Sequence, residues 1–424
     1  MVHAKSTKLA IDGGEPYRTK PFPERTPFDE REIELVTEAI RSQNLFWPQG
    51  DKVFKFEESF AELYDAKYAV ASSSGTAAIH VAIGAINPEP GDEVITAPLT
   101  DLGSIVPIIY QGLIPVFADV DDTYNMDPAD VERKITPRTK VILVVHLCGN
   151  PCDMDAMVDI ARRHNLWLIE DCAEAHLAEY KGQLVGTIGD IGCFSFQQSK
   201  HMTTGDGGMT ISNNDSLSQR LKLFVDKGWL RWRPEFHETM HLRPREYLFL
   251  APCYRMTELQ GAVGLAQLEK VQNVVKRRTE LGDYLTQLLM DIDGIIPAPV
   301  TPGATHTYWN YVIRQDDLPA AVFAEALHAE GIPASVWIGQ PVYLDDLALK
   351  EKKTFGTSGY PFDGSHGGRE IEYTEGLCPN AERLMRHMVA FWFNVNWTKD
   401  DMRDVAGAVR KVMNGFRVKQ SGGV

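Results

Sequence analysis

Between residues 68 and 212 the chain alternates short apolar runs with segments of helical periodicity, and no other feature constrains the fold as strongly. Several runs are apolar at consecutive positions, as expected of strands that helices cover on both faces. The alternation predicts an α/β fold whose central sheet is mainly parallel. The predicted strands are 68–71, 93–97, 114–119, 141–146, 167–171, 192–196 and 208–212, and helices are predicted at 76–86, 103–110, 127–135 and 154–164.

The length of 424 residues exceeds what one compact core usually holds, so we expect two domains. We predict an N-terminal arm at residues 1–28, a large domain at 29–280 and a smaller domain at 281–424. Asp29 is placed to cap the first helix, and a long helical pattern from Thr257 to about residue 291 would link the two domains. The smaller domain mixes strand patterns at 308–314 and 391–395 with helix patterns at 320–330 and 400–412, which predicts an α+β lid. A long loop is predicted at 354–369.

The formal charge of −15 argues against nucleic acid or an anionic membrane as a partner. No apolar run has the length of a signal peptide core or a membrane span. We therefore expect a cytoplasmic protein. The six cysteines are scattered and suggest no disulfide framework; Cys148 and Cys152 lack a second ligand pair, so we predict no metal site.

Lys200 stands out because of its context, since a lysine taken alone is usually a solvated surface residue. It follows the apolar strand that contains Phe194 and Phe196, and it precedes the glycine-rich segment 202–208. A lysine at a strand exit beside such a turn can point into a cleft, where burial lowers the pKa of its amine. A partly deprotonated amine is what imine formation and proton transfer require.

Other candidate residues also follow predicted strands. Asp171 ends the strand 167–171, where ligands bind in open α/β sheets, although it could instead cap a helix. The segment 72–76 contains small residues before a helix and can expose N–H groups to an anion, or simply cap that helix. Ser195 could add a hydroxyl to the same anion, or be a buried core serine.

The order of these segments resembles one known family, the DegT/DnrJ/EryC1/StrS aminotransferases. The resemblance extends over roughly residues 8 to 415, and it is carried by the segments SSSGTAAIHVAIGAI, GDEVITAPLT, PVFADVD, EDCAEAHLAEYKG, IGDIGCFSFQQSK and YRMTELQGAVGLAQLEK. It implies pyridoxal phosphate (PLP) fold type I, similar to aspartate aminotransferase, with a large, mainly parallel sheet domain and a smaller C-terminal α+β domain. It also implies a homodimer with shared active sites.

The resemblance assigns roles to individual residues. It implies that Lys200 holds the cofactor pyridoxal 5'-phosphate as a Schiff base and that Asp171 pairs with the pyridine nitrogen. Gly75, Thr76 and Ser195 would hold the phosphate. Two further residues, His176 and Glu170, match family positions near the cofactor, and we assign them no direct chemical role.

Three positions depart from the family pattern. Asp101 follows Thr100 at a position where the family commonly has an aromatic residue that stacks on the cofactor ring. Either another group covers that face of the ring, or Asp101 contacts a hydroxyl or an amine of the substrate. Glu174 replaces a glutamine and would lie near the phenolic oxygen of the cofactor. Because that oxygen is anionic, Glu174 would need a proton or a different orientation. Cys253 replaces an asparagine that in relatives reaches the neighbouring subunit's phosphate.

The resemblance also suggests the substrates. It is strongest to members that aminate inosose-type cyclitols in aminocyclitol antibiotic pathways, with glutamine or glutamate as the donor. The predicted acceptor contacts are Trp309, Trp337, Gln340 and Tyr343, which could equally be structural or core residues. A basic cluster of Arg231, Arg233, Arg243 and Arg245 could bind a donor carboxylate or a nucleotide diphosphate, or be a solvated loop.

Other functions stay open. A nucleotide-keto-sugar aminotransferase shares most of these motifs, and an aminohydroxybenzoate-type aminodehydratase also keeps the lysine. A sugar dehydratase of this family would have histidine at the position of Lys200, which disfavours it. A PLP-binding regulatory protein usually carries a DNA-binding domain, for which neither the length nor the acidic charge leaves room.

Overall fold

A seven-stranded sheet forms the centre of the molecule in the computed structural model, which describes residues 8–229, 247–364 and 370–421. In chain order the strands are β1 (Tyr68–Ser72), β2 (Glu93–Thr96), β3 (Ile114–Phe117), β4 (Thr139–Val145), β5 (Trp167–Asp171), β6 (Glu179–Tyr180), β7 (Gln183–Leu184), β8 (Ile191–Ser195), β9 (Gly208–Ser212), β10 (Ala304–Thr305), β11 (Tyr311–Arg314), β12 (Ala334–Val336) and β13 (Met388–Phe391). The central sheet has the order β1-β9-β8-β5-β4-β2-β3. Strand β9 is antiparallel to β1 and β8, and the other neighbouring pairs are parallel. The predicted mainly parallel sheet is confirmed.

Helices cover both faces of this sheet. In chain order they are α1 (Glu30–Arg41), α2 (Lys52–Leu63), α3 (Gly75–Ile86), α4 (Val106–Tyr110), α5 (Pro128–Lys134), α6 (Met154–His164), α7 (Asp215–Phe224), α8 (Glu258–Leu289), α9 (Ala320–Ala329), α10 (Val342–Asp345), α11 (Leu347–Lys350), α12 (Pro379–Met385) and α13 (Lys399–Ser421). Alternate residues of β4 belong to two different apolar clusters, Ile142 and Val144 to one and Val141 and Leu143 to the other. Strands buried on both faces explain the uninterrupted apolar runs of the sequence.

The first helix and the linking helix both begin at capping boxes. Asp29 caps α1 as predicted: its side chain accepts from the Arg31 N–H (2.9 Å), and its own N–H donates to Glu32 (2.8 Å). Helix α8 begins after Thr257, which forms the same arrangement with Gln260. Its 32 residues extend over about 48 Å, since an α-helix rises about 1.5 Å per residue. The helix passes through the predicted domain boundary at residue 280 without a break.

A second apolar core lies around the antiparallel sheet β11-β13-β12 and includes the last part of α8. The N-terminal arm packs against this core. Leu9 is buried in it and lies against α13, where a β-carbon at Gly415 would approach the Leu9 side chain to 2.6 Å. Arg18 pairs with Asp401 (2.8 Å) and Asp404 (2.7 Å) of α13. The domain limits stay predictions; within the arm, Leu9 and Arg18 contact the C-terminal core.

Local backbone geometry shortens two predicted elements. The predicted strand 308–314 begins only at Tyr311, because Tyr308 has a φ of 48° that an extended strand cannot contain. The predicted helix 103–110 is divided into a 3₁₀ turn at Leu102–Ser104 and α4. None of the helices in the described part of the chain is long and apolar enough to span a membrane.

Candidate active site

A cavity of about 280 Å³ opens at the carboxyl ends of the parallel strands. Asp171 ends β5, Ser195 ends β8, and Gly75 begins the helix that follows β1. This edge of an open α/β sheet is where ligands usually bind. The cavity is lined by Ser74, Gly75, Thr76, Ile79, Thr100, Asp101, Gly103, Ser104, Val145, Asp171, Ala173, Glu174, Ser195, Gln197, Ser199, Lys200, Asp206 and Trp309. Seven of the residues predicted for the cofactor site are therefore brought together.

Asp171 is a buried carboxyl group held by two donors. Ser104 Oγ donates to its Oδ2 (2.7 Å), and the Ala173 N–H donates to its Oδ1 (3.0 Å). Thr100 Oγ1 lies 2.7 Å from Ser104 Oγ and fixes that hydroxyl. Burial raises the pKa of Asp171, and the two hydrogen bonds and the charge of Lys200 oppose this rise. Such a carboxyl group favours a ligand that brings a positive charge or a proton to it.

Lys200 extends its amine into the same cavity. Nζ lies 3.6 Å from Glu174 Oε1 and 3.7 Å from the centre of the Trp309 ring. Trp309 is fixed in turn, because its Nε1 donates to the backbone oxygen of Ser199 (3.0 Å). The backbone N–H of Lys200 donates to Gln197 O (2.9 Å), so a tight turn presents the side chain. The amine is thus held between a carboxyl group and an aromatic face.

Glu174 is a second carboxyl group of the cavity. Its Oε2 accepts from the backbone N–H of Cys148 (2.7 Å). Cys148 presents this N–H from a left-handed conformation with a φ of 58°. Burial raises the pKa of Glu174, while the charge of Lys200 and the Cys148 hydrogen bond lower it. The replacement of the family glutamine thus places a carboxyl group that readily takes up a proton beside the lysine amine.

The N-terminus of α3 forms a narrow cradle for an anion. Ser74 caps this 12-residue helix, and its Oγ accepts from the Ala77 N–H (3.0 Å). A β-carbon on Gly75 would lie 2.7 Å from Ser195 Cβ, so only glycine allows this approach. Thr76 and Ser195 add hydroxyl groups to the same wall. Free N–H groups at a helix start, with hydroxyl groups beside them, suit a phosphate.

Glu170 supports the site from outside the cavity. With His146 and Cys172 it forms the one group in the described part of the chain with three metal-ligand atoms close together. His146 Nδ1 accepts from the Cys152 N–H (3.1 Å), so Nε2 carries the proton and donates to Glu170 (3.0 Å). Glu170 also accepts from three N–H groups of the turn 186–189. The atoms of His146 and Glu170 that could bind a metal are therefore engaged in hydrogen bonds, and those of Glu170 hold the turn 186–189 beside β5.

His176 lies behind the end of β8. Its Nε2 lies 2.9 Å from the backbone oxygen of Ser195, and burial lowers the pKa of the imidazole to about 4. The neutral ring therefore donates to this oxygen and fixes the strand end from which the Ser195 side chain projects.

Asp101 lines the cavity but also has a structural role. It caps the 3₁₀ turn Leu102–Ser104, and its Oδ1 accepts from the Gly103 N–H (2.7 Å). The carboxylate is otherwise exposed to the cavity and solvent. Both alternatives considered from the sequence, that another group covers the ring face or that Asp101 contacts a substrate, stay predictions.

Other predicted residues do not line the cavity of their own chain. Cys253 is exposed and pairs with Asp226 through a β-bridge. Trp337 and Tyr343 are buried, and the Tyr343 hydroxyl donates to Glu382. Gln340 is exposed. The roles proposed for these four residues stay predictions.

The predicted basic cluster lies outside the described residues. Its members are Arg231, Arg233, Arg243 and Arg245, all in segment 230–246.

Two contributors were missed by the sequence reasoning. Ser104 supplies the hydroxyl that bonds Asp171, and Cys148 supplies the N–H that bonds Glu174. The spacing of Thr100 and Ser104 by four residues was the only local signal for the first. The second depends on a backbone group, which the identity of the side chain does not reveal.

Comparison with known proteins relates this geometry to one family. The model of the DegT/DnrJ/EryC1/StrS aminotransferase family matches residues 27–358. A putative L-glutamine:3-amino-2,3-dideoxy-scyllo-inosose aminotransferase of Micromonospora echinospora is 34% identical over 423 residues, covering 96% of this chain and 97% of the relative. GDP-perosamine synthase of Escherichia coli O157:H7 is 39% identical over 281 residues, which cover 66% and 73% of the two chains.

Solved structures agree with this relationship. The crystal structure of 3-amino-5-hydroxybenzoic acid synthase superposes with a TM-score of 0.81 at 26% identity, over 93% of this chain and 99% of that chain. The fold is therefore PLP fold type I, as predicted. By its matched sequence and its fold, the chain belongs to the DegT/DnrJ/EryC1/StrS family of PLP-dependent aminotransferases.

Proposed function

We propose that this aminotransferase binds pyridoxal phosphate in the Lys200 cavity and moves an amino group from glutamine or glutamate to a keto-cyclitol or keto-sugar. The best candidate for the acceptor is a scyllo-inosose-like cyclitol. The observation that carries the proposal is the meeting of Lys200, the buried Asp171 and the anion cradle at Gly75 in one cavity. The full-length similarity to a cyclitol aminotransferase supports the choice of acceptor.

The cavity residues fit the chemical groups of this cofactor. Burial raises the pKa of Asp171 because the charged carboxylate is poorly solvated, and a protonated ring nitrogen beside it would offset that cost. Gly75, Thr76 and Ser195 would hold the phosphate, and Lys200 would hold the aldehyde carbon. Once bound, pyridoxal phosphate supplies an electron sink for the bond that breaks at the donor's α-carbon.

Lys200 is the proposed base of the reaction. When the amino donor has displaced it, its free amine Nζ takes the proton from the donor's α-carbon. The Trp309 ring, 3.7 Å away, and Glu174 Oε1, 3.6 Å away, limit where this amine can move. Burial raises the pKa of the Glu174 carboxyl group and the charge of Lys200 opposes this rise, so the charge of the amine affects the protonation of Glu174.

Chemical trapping tests the cofactor proposal. We expect the purified protein to be yellow, and borohydride reduction should fix the cofactor on Lys200, which peptide mass analysis would identify. Lys200→Ala should lose both half-reactions. A colourless protein that also fails to bind added pyridoxal phosphate would contradict the proposal.

A substrate panel tests the acceptor. The enzyme is first incubated with glutamine or glutamate and then freed of the donor. It is then given scyllo-inosose, nucleotide-linked keto-sugars or no acceptor, and the aminated product is measured by mass spectrometry. Amination of scyllo-inosose at least tenfold faster than of nucleotide sugars is expected, and the reverse order would reject the cyclitol.

The similarity to GDP-perosamine synthase supports a nucleotide-keto-sugar as the second candidate. A large acceptor of this kind needs contacts to its diphosphate, whereas a free cyclitol does not. In the same panel, inhibition of donor turnover by GDP or another nucleoside diphosphate would favour this candidate.

We also propose a homodimer with shared active sites. Helix α1 exposes Ile33 (59%) and Ile40 (52%), and Cys253 is exposed at a position where family members reach the neighbouring site. Sedimentation measures the assembly. Lys200→Ala is mixed with Cys253→Arg, which would block a shared site with a bulky side chain; activity above the sum of the two separate variants would reveal shared sites.

A further inference from the structure

Behind Lys200 lies a second cavity, of about 380 Å³, between the N-terminal arm, α8 and the backbone of the Lys200 segment. It is lined by Arg25, Thr26, Pro27, Phe28, Asp29, Lys200, His201, Gln267, Lys270, Val274, Arg278 and Val395. Three of these residues are cationic besides Lys200. They differ in whether their charge is already paired.

Arg278 is a buried cation without a carboxylate partner among the described residues. It is 6% exposed, and its Nε and Nη2 donate to the backbone oxygens of Tyr308 and Trp309. No acceptor for its Nη1 occurs in residues 8–229, 247–364 or 370–421. Burial and the nearby charge of Arg25 lower the pKa of Arg278 to about 9. A largely buried charge that lacks a counter-ion favours the binding of an anion beside it.

Arg25 adds a second charge of the same sign. Its guanidinium donates to the backbone oxygens of Gln198 and Lys200, the latter at 2.6 Å, and burial lowers its pKa. It likewise forms no ion pair within the described ranges. Lys270, in contrast, is neutralised by Asp29 (2.9 Å) and Glu32 (2.6 Å). The unpaired charge of the cavity therefore resides on the two arginines.

We propose that this cavity binds the carboxylate of a small organic acid between Arg25 and Arg278. The unused Nη1 of Arg278, beside Nη2, forms a planar fork of the kind that matches a carboxylate. The walls also include Pro27, Phe28 and Val274. These apolar groups suit the hydrocarbon part of an organic acid and offer nothing to a bare inorganic anion. The ligand would lie one hydrogen bond from the backbone of Lys200.

Titration calorimetry with glutarate tests the proposal on the holoenzyme. Glutarate has two carboxylates but neither an amine nor a ketone, so it cannot react at Lys200. We expect saturable binding of one molecule per chain. The affinity of Arg25→Gln for glutarate should be about tenfold lower than that of the wild type, or lower still, which is the loss typical of one charged hydrogen-bond donor. Arg277→Gln is the matched control, because Arg277 neighbours Arg278 on α8 and does not line the cavity. It should bind like the wild type.

A second experiment distinguishes the two possible sources of the acid, the amino donor and an unrelated acid. Glutamate also reacts at Lys200, so its effect is read in the Arg25–Arg278 cavity itself, from crystals that hold 4-bromobutyrate there. Displacement of the bromine peak by glutamate would identify the amino donor as the occupant, and a retained peak would indicate an unrelated acid. Either result supports the site.

The position of the ligand is checked with a bromine-labelled carboxylate such as 4-bromobutyrate in crystals. An anomalous peak in the Arg25–Arg278 cavity is expected. Absence of glutarate binding, equal binding by Arg25→Gln, a peak only beside Asp171, or an acidic side chain of a partner subunit on Arg278 would each overturn the proposal. If Arg25→Gln stays yellow, a negative result concerns this cavity and leaves the cofactor proposal intact.

Discussion

Asp171 and Glu174 are two buried carboxyl groups in one cavity, and burial raises the pKa of both. Without the cofactor, each negative charge lies where the protein solvates it poorly. Residues arranged in this way serve catalysis at the expense of the stability of the fold. Their energetic effect should therefore appear when the cofactor is removed.

Asp171→Asn should stabilise the cofactor-free protein at pH 8 by about 1 kcal/mol, a typical size for relief of such a site. A raised pKa means that the folded state holds its proton more tightly than the unfolded state. The free energy of unfolding therefore falls as pH rises above the ordinary range of aspartate, and the penalty is absent below that range. Asparagine does not titrate, so the difference should shrink as pH falls through about 4 and disappear at about pH 3.

Urea unfolding of the cofactor-free proteins at several pH values measures this effect. Asp65→Asn, at an exposed carboxylate, is the control and should change little. Asp171→Asn should also lose transamination activity. An Asp171→Asn protein that is less stable than the wild type at pH 8 would contradict the interpretation.

Residues at the ends of predicted strands could be located from the sequence. Lys200, Asp171 and Ser195 follow or end strands of one sheet, so their meeting at one edge follows from parallel strand order. Ser104 and Arg278 could not be found in this way. Ser104 acts on a residue that lies 67 positions further along the chain. Arg278 contacts backbone oxygens that lie 30 and 31 positions further along.

At the scale of elements, the start of α3 depends on one close approach. Gly75→Ala would place a β-carbon 2.7 Å from Ser195 Cβ, closer than such carbons come in proteins. We expect a loss of about 1–3 kcal/mol in unfolding free energy, as in other overpacked sites. Cofactor affinity should fall as well, since the helix start must move away from β8.

The double variant Gly75→Ala with Ser195→Gly tests the cause. Removing the β-carbon at Ser195 relieves the clash and should restore most of the lost stability. Affinity for pyridoxal phosphate is measured by fluorescence titration. If the double variant is no more stable than Gly75→Ala, the close approach is not the reason for the loss.

Helix α8 depends on its N-terminal cap. Thr257→Ala removes the side chain that accepts from Gln260, and the free energy of unfolding should fall by about 1 kcal/mol. Thr257→Ser keeps the hydroxyl and serves as the control in the same urea titration. Equal stability of the alanine and serine variants would show that the cap contributes little.

Element types were predictable where periodicity was strong, but strand order was not. The sequence pattern identifies β1 and β9 as strands without indicating that they pair, because their register depends on tertiary packing. The strand predicted at 308–314 includes Tyr308 for a related reason. Its left-handed conformation is fixed by contacts with distant groups, among them Asp283 (2.8 Å).

At the scale of the whole molecule, Glu330 fastens the N-terminal arm to the C-terminal core. Its buried carboxylate accepts from the N–H groups of Ala10 and Tyr17 (both 2.8 Å) and from Lys411 Nζ (2.7 Å). Glu330→Ala should lower stability by about 3–5 kcal/mol, because Lys411 would keep a buried charge without its partner. The arm should also detach.

Limited trypsin digestion measures the release of the arm. Cleavage after Arg18, which Thr19 follows, should become much faster in Glu330→Ala. Glu325→Ala, at an exposed position of helix α9, whose C-terminal cap is Glu330, is the matched control. Unchanged cleavage in Glu330→Ala would indicate that other contacts hold the arm.

The pairing of β1 with β9 has a consequence for synthesis on the ribosome. Strand β1 lies at the edge of the sheet, and among the described strands its only neighbour is β9, about 140 residues further along the chain. At roughly 5–20 residues per second, β1 waits on the order of 10 seconds before its partner emerges. During that interval an apolar strand with unpaired backbone groups is exposed to the cell. Chaperone demand should therefore concentrate on nascent chains that end before residue 212.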